Sequence, residues 1–136
     1  MTEAELTFLD LASVIVIHVD QIQRYGGRVG VGDFGLLESA LAMPRASFGG
    51  EWLHRDRFEM AAAYAFHLCR NHPFIDGNKR TGLACALIFL DINGISIEDP
   101  DGRLYQTMMD TASGSLGKLG LAQVLRDLSL GPLPGT

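Results

Sequence analysis

The chain has 136 residues, of which 47% are apolar and 20% are charged, a composition typical of one globular domain and not of a disordered protein. Its net charge of −5 gives no electrostatic reason to expect general binding to nucleic acids or to anionic membranes. The acidic start lacks the basic region of a signal peptide, and no apolar run is long enough to span a bilayer. We therefore expect a cytoplasmic protein without direct nucleic-acid or membrane partners.

The N-terminal third is predicted to contain two helices and a glycine-rich loop. Asp10 is placed to cap a helix over residues 11–25, which a pair of glycines directly follows as a strong end signal. The loop covers residues 26–33, and a shorter helix capped by Asp33 then runs to a proline at position 44. Residues 43–54 have no helical period and contain proline and glycine, so we expect an exposed loop or a small hairpin there.

Two central helices are expected because their segments are apolar on every face. Residues 56–71 have a helical period, and the middle of that segment, residues 61–66, is entirely apolar. Residues 82–92 have the same character. A helix that is apolar all round belongs in the centre of a fold, so these two helices are predicted to form the core. Cys69 and Cys85 lie in these segments and are interpreted as buried free thiols.

The C-terminal part is predicted to contain two more helices. Asp99 followed by Pro100 is typical of a helix start, with proline at the first helical position, so a helix is predicted from there to about Ala112. A last helix covers roughly residues 119–130, and residues 131–136 are predicted to form a flexible tail. The fold class is therefore all-α, with a single domain and at most a small hairpin.

Between the two central helices lies a polar run with the groups that phosphate chemistry needs. Asn78 is at the start of the second central helix, where free N–H groups attract anions. Gly77 has no side chain and lets a phosphate approach the backbone. Lys79 adds a positive charge, and Arg80 adds a fork of two donors. We predict that these four residues bind phosphate; the alternative is that the two cations are solvated surface residues.

Two further residues of this run are predicted to take part in the chemistry. The carboxylate of Asp76 can hold a Mg²⁺ ion that bridges nucleotide phosphates, because Mg²⁺ needs only one or two protein carboxylates. The alternative is that Asp76 caps the helix. The imidazole of His72 titrates near neutral pH and can accept a proton from a hydroxyl, although a histidine at a helix end also suits the helix dipole. His18 and His54 stand alone in the sequence and are interpreted as incidental.

The run His72-Pro73-Phe74-Ile75-Asp76-Gly77-Asn78-Lys79-Arg80 resembles the signature of the Fic superfamily, His-x-Phe-x-Asp/Glu-Gly/Ala-Asn-x-Arg. The resemblance extends over about residues 6–128 and is greatest to the death-on-curing (Doc) branch, whose members are toxins of bacterial type II toxin–antitoxin modules. It is carried by these segments: Ile17-His18, Tyr25-Gly26-Gly27, Gly35-Leu36-Leu37-Glu38-Ser39-Ala40-Leu41, Ala46-Ser47-Phe48-Gly49-Gly50 and Arg70-Asn71.

The resemblance implies a compact helical Fic-type fold and a role for each residue of the motif. His72 would deprotonate the attacking hydroxyl, Asp76 would bind Mg²⁺, and residues 77–80 would hold the phosphates of ATP. Residues 43–54 would occupy the place of the flap that docks the target. Lys79 stands where most AMP-transferring Fic enzymes have glycine. In Doc-type toxins this lysine accompanies transfer of the γ-phosphoryl group to a threonine of elongation factor Tu, which arrests translation.

The resemblance also implies an antitoxin partner. Many Fic enzymes obstruct their own site with a glutamate that glycine or asparagine follows, and no glutamate of this chain is followed by either. We therefore expect regulation by a cognate antitoxin protein, whose disordered tail folds into a groove on the toxin. The leading expectation is a protein Ser/Thr kinase toxin that uses ATP and Mg²⁺. The alternatives are a transferase of AMP or another nucleotidyl group on the same fold, and a catalytically inactive antitoxin-binding module.

Overall fold

The computed structural model describes residues 6–130, and within them it contains six α-helices and one short hairpin. The helices are α1 (Leu11–Tyr25), α2 (Phe34–Ala42), α3 (Arg57–Asn71), α4 (Asn78–Ile92), α5 (Arg103–Ser113) and α6 (Lys118–Leu128). Strands β1 (Ser47–Phe48) and β2 (Glu51–Trp52) pair antiparallel, with Ser47 opposite Trp52. The all-α prediction is confirmed, and the segment 43–54 forms the hairpin rather than an irregular loop.

Three helices begin where an aspartate caps them, and two of these caps, Asp10 and Asp33, were predicted. Asp10, Asp33 and Asp56 each have extended backbone and accept a hydrogen bond from the N–H three residues later, at 2.8, 3.0 and 2.8 Å. Such a cap satisfies one of the N–H groups that a helix start leaves free, and it contributes about 1 kcal/mol. These short-range contacts determine where α1, α2 and α3 begin, independently of the rest of the fold.

Helix α3 lies at the centre of the molecule and packs against α2, α4, α5 and α6. Residues 61–65 are buried, as their apolar character predicted, whereas Phe66 of the same predicted segment is only partly buried. The close approach of α4 depends on Gly82, because a Cβ atom there would lie 3.0 Å from the carbonyl oxygen of Ala65. Cys69 and Cys85 are buried and free, and burial raises the pKa of both thiols, that of Cys85 to about 12. Neither thiol is therefore activated for chemistry.

Helix α4 is less enclosed than its apolar composition predicted. One side packs against α3 and α1, and it buries Cys85, Phe89 and Leu90. On the other side, Ile88 is 38% exposed and Ile92 is 47% exposed. The prediction that α4 is buried on every face was therefore wrong, because no element within residues 6–130 covers this side.

The C-terminal helices differ from their predicted bounds at two places. Helix α5 begins at Arg103 and not at Pro100, because Gly102 has the left-handed φ of +68° and interrupts the helical path. Asp99 still caps the helix across this turn by accepting the N–H groups of Arg103 and Leu104, at 2.7 and 2.8 Å. Helix α6 ends two residues before the predicted position, since Ser129 is extended and pairs with Ile97 in the loop between α4 and α5.

The predicted flexible tail, residues 131–136, lies outside the described residues. None of the helices in residues 6–130 is both long enough and apolar enough to cross a lipid bilayer.

Candidate active site

The loop between α3 and α4 begins with a left-handed residue. His72 has φ 55° and ψ 51°, and it is the one residue other than glycine with a positive φ among residues 6–130. An L-residue in this conformation costs roughly 1 kcal/mol, and such strain is concentrated at functional sites. The conformation ends α3 at once and turns the chain toward α4.

The loop is closed by the side chain of Asn78. Its Oδ1 accepts the N–H of Phe74 and its Nδ2 donates to the carbonyl oxygen of Phe74, both at 2.9 Å in a buried environment. The ring of Phe74 is itself buried. Because both amide atoms of Asn78 are engaged here, the role predicted for it in phosphate binding falls to its backbone N–H, in the first turn of α4.

We expect Asn78→Ala to destabilise the protein, because it leaves the N–H and the carbonyl of Phe74 buried without partners. Each unsatisfied group costs about 1–3 kcal/mol, so the free energy of unfolding should fall by about 2 kcal/mol or more. Urea denaturation followed by circular dichroism measures the change. The matched control is Asn71→Ala, which removes one exposed hydrogen bond to the carbonyl of Leu36. If both variants lost equally little stability, Asn78 would not be closing the loop.

The glycine-rich loop between α1 and α2 supports the motif from one side. The N–H groups of Gly32 and Asp33 donate to the carbonyl oxygen of Pro73, at 2.8 and 3.1 Å, and the N–H of Ile75 donates to that of Gly30, at 3.0 Å. These bonds form a short antiparallel pairing between the two loops. The segment predicted as a loop, residues 26–33, therefore holds the motif in place through backbone hydrogen bonds, and we call it the brace.

This brace also positions the carboxylate of Asp76. One oxygen accepts the N–H of Arg28 at 3.2 Å, and the other accepts the N–H of Gly77 at 2.8 Å. The two bonds lower the pKa of Asp76, and the positive charges of Arg80 and Arg28 lower it further. Gly27 allows this contact, because a Cβ atom there would lie 2.7 Å from the carboxylate. Asp76 is thus an ionised carboxylate in a fixed orientation.

Asp76 fits the prediction of a Mg²⁺ ligand, because its side chain is a carboxylate and because a single protein carboxylate can be enough for this ion. Within residues 6–130 no group of three or more His, Cys, Asp or Glu side chains is arranged to hold a metal ion. Mg²⁺ commonly takes one or two protein carboxylates and completes its shell with phosphate oxygens and water. A Mg²⁺ ion at this position would therefore depend on a bound nucleotide as much as on the protein.

The N-terminus of α4 carries the predicted phosphate-binding residues. Gly77 precedes the helix with φ 72°, and a Cβ atom there would lie 2.9 Å from Cδ1 of Ile22. Glycine at this position therefore suits the backbone as well as the approach of a ligand. The side chain of Arg80 donates to the carbonyl oxygen of Gly26 at 2.9 Å, while Lys79 is exposed in the first turn.

All six predicted residues border one cavity of about 590 Å³, a volume within the usual range for small-molecule sites. The lining consists of Cys69, Arg70, His72, Ile75, Asp76, Gly77, Asn78, Lys79, Arg80 and Ala112. The imidazole of His72, the carboxylate of Asp76 and the N-terminus of α4 thus meet at one opening. This combination is suited to the transfer of a phosphate-containing group to a hydroxyl.

Comparison with known proteins agrees with this arrangement, since residues 8–90 match the family model described as the Fic/DOC family. The chain belongs to the Fic/Doc family. It is 36% identical over 115 residues to the protein kinase doc of Escherichia phage P1, covering 85% of this chain and 90% of that protein. It is 44% identical over 73 residues to the toxin Doc of Mycolicibacterium smegmatis, covering 54% of this chain and 56% of that protein.

Arg70 is a cation of the Fic/Doc site that was not predicted to act there. Its guanidinium borders the cavity and donates to the carbonyl oxygens of Thr111 and Ala112, at 3.4 and 3.2 Å, near the end of α5. A guanidinium also interacts favourably with the negative end of a helix dipole. No sequence signal placed the end of α5 at the motif, so this wall of the cavity depends on tertiary packing.

His18, which was interpreted as incidental because it stands alone in the sequence, packs against the motif. The ring is buried in α1 and stacks on that of Phe74, with centroids 4.0 Å apart and planes at 9°. Its Nδ1 lies 3.1 Å from Oγ1 of Thr81, and its Nε2 accepts the N–H of Gly30 at 3.3 Å. Burial lowers the pKa of His18, Arg80 lowers it further, and Asp76 opposes the shift.

Proposed function

We propose that this protein is the toxin of a type II toxin–antitoxin module and acts as a protein kinase. It would transfer the γ-phosphoryl group of ATP to a Ser or Thr hydroxyl of a translation factor, with elongation factor Tu as the first candidate. The observation that carries the proposal is the convergence of His72, Asp76 and the basic N-terminus of α4 on one cavity. The name of the phage P1 relative as a protein kinase supports the same reaction class.

The proposed reaction divides into proton removal and charge neutralisation. The imidazole of His72 accepts the proton of the target hydroxyl, whose oxygen forms the new bond to the γ-phosphorus. The bond from that phosphorus to the oxygen bridging to the β-phosphate breaks, and ADP leaves. Lys79, Arg80 and the free N–H groups of α4 neutralise the phosphate charge, as phosphoryl transfer requires. When bound at Asp76, Mg²⁺ would supply further neutralisation and would orient the phosphates.

The first test is a label-transfer assay with elongation factor Tu, Mg²⁺ and ATP that carries the label on either the α- or the γ-phosphate. Label arriving from the γ position alone supports the kinase. Label arriving from the α position contradicts the kinase and indicates an AMP transferase with the same catalytic residues. Absence of both transfer and ATP binding, measured by calorimetry with Mg²⁺ present, indicates an inactive binding module.

Replacing Lys79 by glycine is expected to change the reaction and not merely slow it. The lysine is exposed at the mouth of the cavity, where its bulk and charge limit how the phosphates enter. Its removal frees that space, so the ratio of α-label to γ-label transfer should rise by about tenfold or more, which corresponds to about 1.4 kcal/mol. Lys118→Gly, a change far along the chain, is the control for a general effect of losing a lysine. An unchanged ratio for Lys79→Gly would contradict the role given to this residue.

A second surface suits the antitoxin that a toxin of this type implies. Helices α1 and α4 lie side by side and leave an apolar groove, whose walls include Val16, Ile88 and Ile92. Val16 is 68% exposed, and the two isoleucines are also partly exposed. We propose that an amphipathic helix from the antitoxin packs in this groove, since such a helix buries apolar side chains against a groove of this shape.

The groove is tested by Val16→Asp, which places a charge where an apolar contact is expected. Antitoxin binding should weaken by at least about tenfold, because burying an unpaired charge costs well over 1.4 kcal/mol. Calorimetry with the antitoxin encoded beside the gene measures the affinity. Glu38→Gln on α2 is the surface control. Undiminished binding by Val16→Asp would exclude this groove as the antitoxin site.

A further inference from the structure

We propose that His18 is a positioning residue, which holds the motif in its active shape through a neutral ring with the proton on Nδ1. The ring does not border the cavity, so it acts on the reaction through the residues that it contacts. Its effect on phosphoryl transfer rests on the proposed kinase function, whereas its protonation state and its effect on the loop do not.

The hydrogen bonds of the ring determine which nitrogen carries the proton. A backbone N–H can only donate, so Nε2 of His18 must accept the bond from Gly30 with its lone pair. In a neutral imidazole with an unprotonated Nε2, the hydrogen is on Nδ1. Nδ1 therefore donates to Oγ1 of Thr81. A doubly protonated ring would lose the bond to Gly30, which makes the neutral form the one that this packing accommodates.

The three contacts of His18 connect the three segments that build the site. Gly30 belongs to the glycine-rich brace, and its carbonyl oxygen accepts the N–H of Ile75, the residue before Asp76. Phe74 is the buried anchor of the motif itself. Thr81 follows Arg80 directly in the first turns of α4. The ring is therefore a common support for the chain on both sides of the predicted metal ligand and for the helix that carries the cations.

This arrangement predicts a loss of rate on removal of the ring nitrogens. A displacement of about 1 Å in a reacting group lowers rates by about a hundredfold, even when the altered residue is remote from the chemistry. Phosphate binding by the α4 N-terminus involves no atom of His18. We therefore expect His18→Phe, which keeps a flat ring on Phe74, to lower kcat by about 10- to 100-fold. The KM for ATP should change by no more than about threefold, less than 1 kcal/mol.

Two amide variants separate the two hydrogen bonds. His18→Gln places an amide oxygen near the position of Nε2 and can still accept the N–H of Gly30. His18→Asn places an amide NH₂ near the position of Nδ1 and can still donate to Thr81. We expect the glutamine variant to recover more of kcat than the asparagine variant. The reason is that Gly30 also accepts the N–H of Ile75, the residue next to Asp76. His54→Gln is the matched control, since His54 is equally buried but neither of its nitrogens has a hydrogen-bond partner.

Nuclear magnetic resonance tests the inference without any activity. In the ¹⁵N-labelled full chain, the imidazole shifts at pH 7 should identify a protonated Nδ1 and a bare Nε2 in His18. Hydrogen exchange at the amides of Gly30 and Ile75 should quicken at least about tenfold in His18→Phe and remain near wild type in His54→Gln. A proton on Nε2, or unchanged exchange at both amides, overturns the inference. If wild type transferred no phosphate and yet gave the expected spectra, the kinase proposal alone would fail.

Discussion

Replacing His72 by alanine is expected to lower phosphoryl transfer by a factor of about 10²–10⁴ and to abolish growth arrest, the usual loss when a general base is removed. The imidazole borders the cavity beside Asp76 and the N-terminus of α4, so it is placed to accept a proton from a hydroxyl brought to that opening. The label-transfer assay gives the rate, and expression in the host bacterium gives the growth phenotype. A folded alanine variant that still transferred label at the wild-type rate would contradict the general-base role.

A companion variant, His72→Gly, separates the chemistry from the backbone. The residue has a left-handed conformation that glycine adopts without the Cβ penalty, whereas alanine retains that penalty. We therefore expect the glycine variant to be as inactive as the alanine variant but more stable than it by about 1 kcal/mol. Urea denaturation of both variants measures this difference. If the glycine variant were the less stable of the two, the left-handed conformation would not be a source of strain.

Replacing Arg80 by alanine is expected to lower kcat/KM by about 10²–10³, the usual effect of losing one preorganised group that stabilises charge in the transition state. The guanidinium borders the cavity and is oriented by its hydrogen bond to the carbonyl oxygen of Gly26. That bond is exposed, so its loss should cost no more than about 1 kcal/mol of unfolding free energy. A large loss of activity with a small loss of stability is therefore the expected result.

Two further variants make the assignment of Arg80 specific. Arg80→Lys keeps the charge but lacks the planar fork of donors, so it should recover only part of the activity. Arg24→Ala removes a nearby exposed arginine whose partner is Asp20 in the same helix, and it should leave the rate unchanged. Equal losses in Arg80→Ala and Arg24→Ala would mean that general positive charge, and not the position of Arg80, supports the reaction.

The features that could be predicted from the sequence are those that depend on neighbouring residues. The starts of α1 and α2 were predicted because Asp10 and Asp33 each cap the turn that directly follows. The start of α3 was predicted from the helical period of its sequence. The start of α5 was missed because a glycine that is not helical lies between Asp99 and the helix. The six residues of the motif could be named together because they are consecutive or nearly so. One short loop and the first turn of α4 place all of them at the cavity.

What the sequence could not reveal depends on contacts between distant positions. His18 and Thr81 are 63 residues apart. Arg70 donates to Thr111 and Ala112, which are 41 and 42 residues further along the chain. No local pattern indicates that such residues will meet, because their contact is decided by how α1, α3, α4 and α5 pack. The exposed side of α4 was missed for the same reason, since its sequence does not tell which neighbours cover it.

The pairing between the glycine-rich brace and the motif has a consequence for synthesis on the ribosome. The brace is synthesised before its partner, Pro73 to Ile75, and cannot form these hydrogen bonds until that partner has been made. The central helix α3 also packs against α6, which follows the other five helices of residues 6–130 in the sequence. A nascent or prematurely terminated chain thus lacks both an assembled cavity and a closed core. A toxin of the kind proposed above would therefore become active only after α6 has been synthesised.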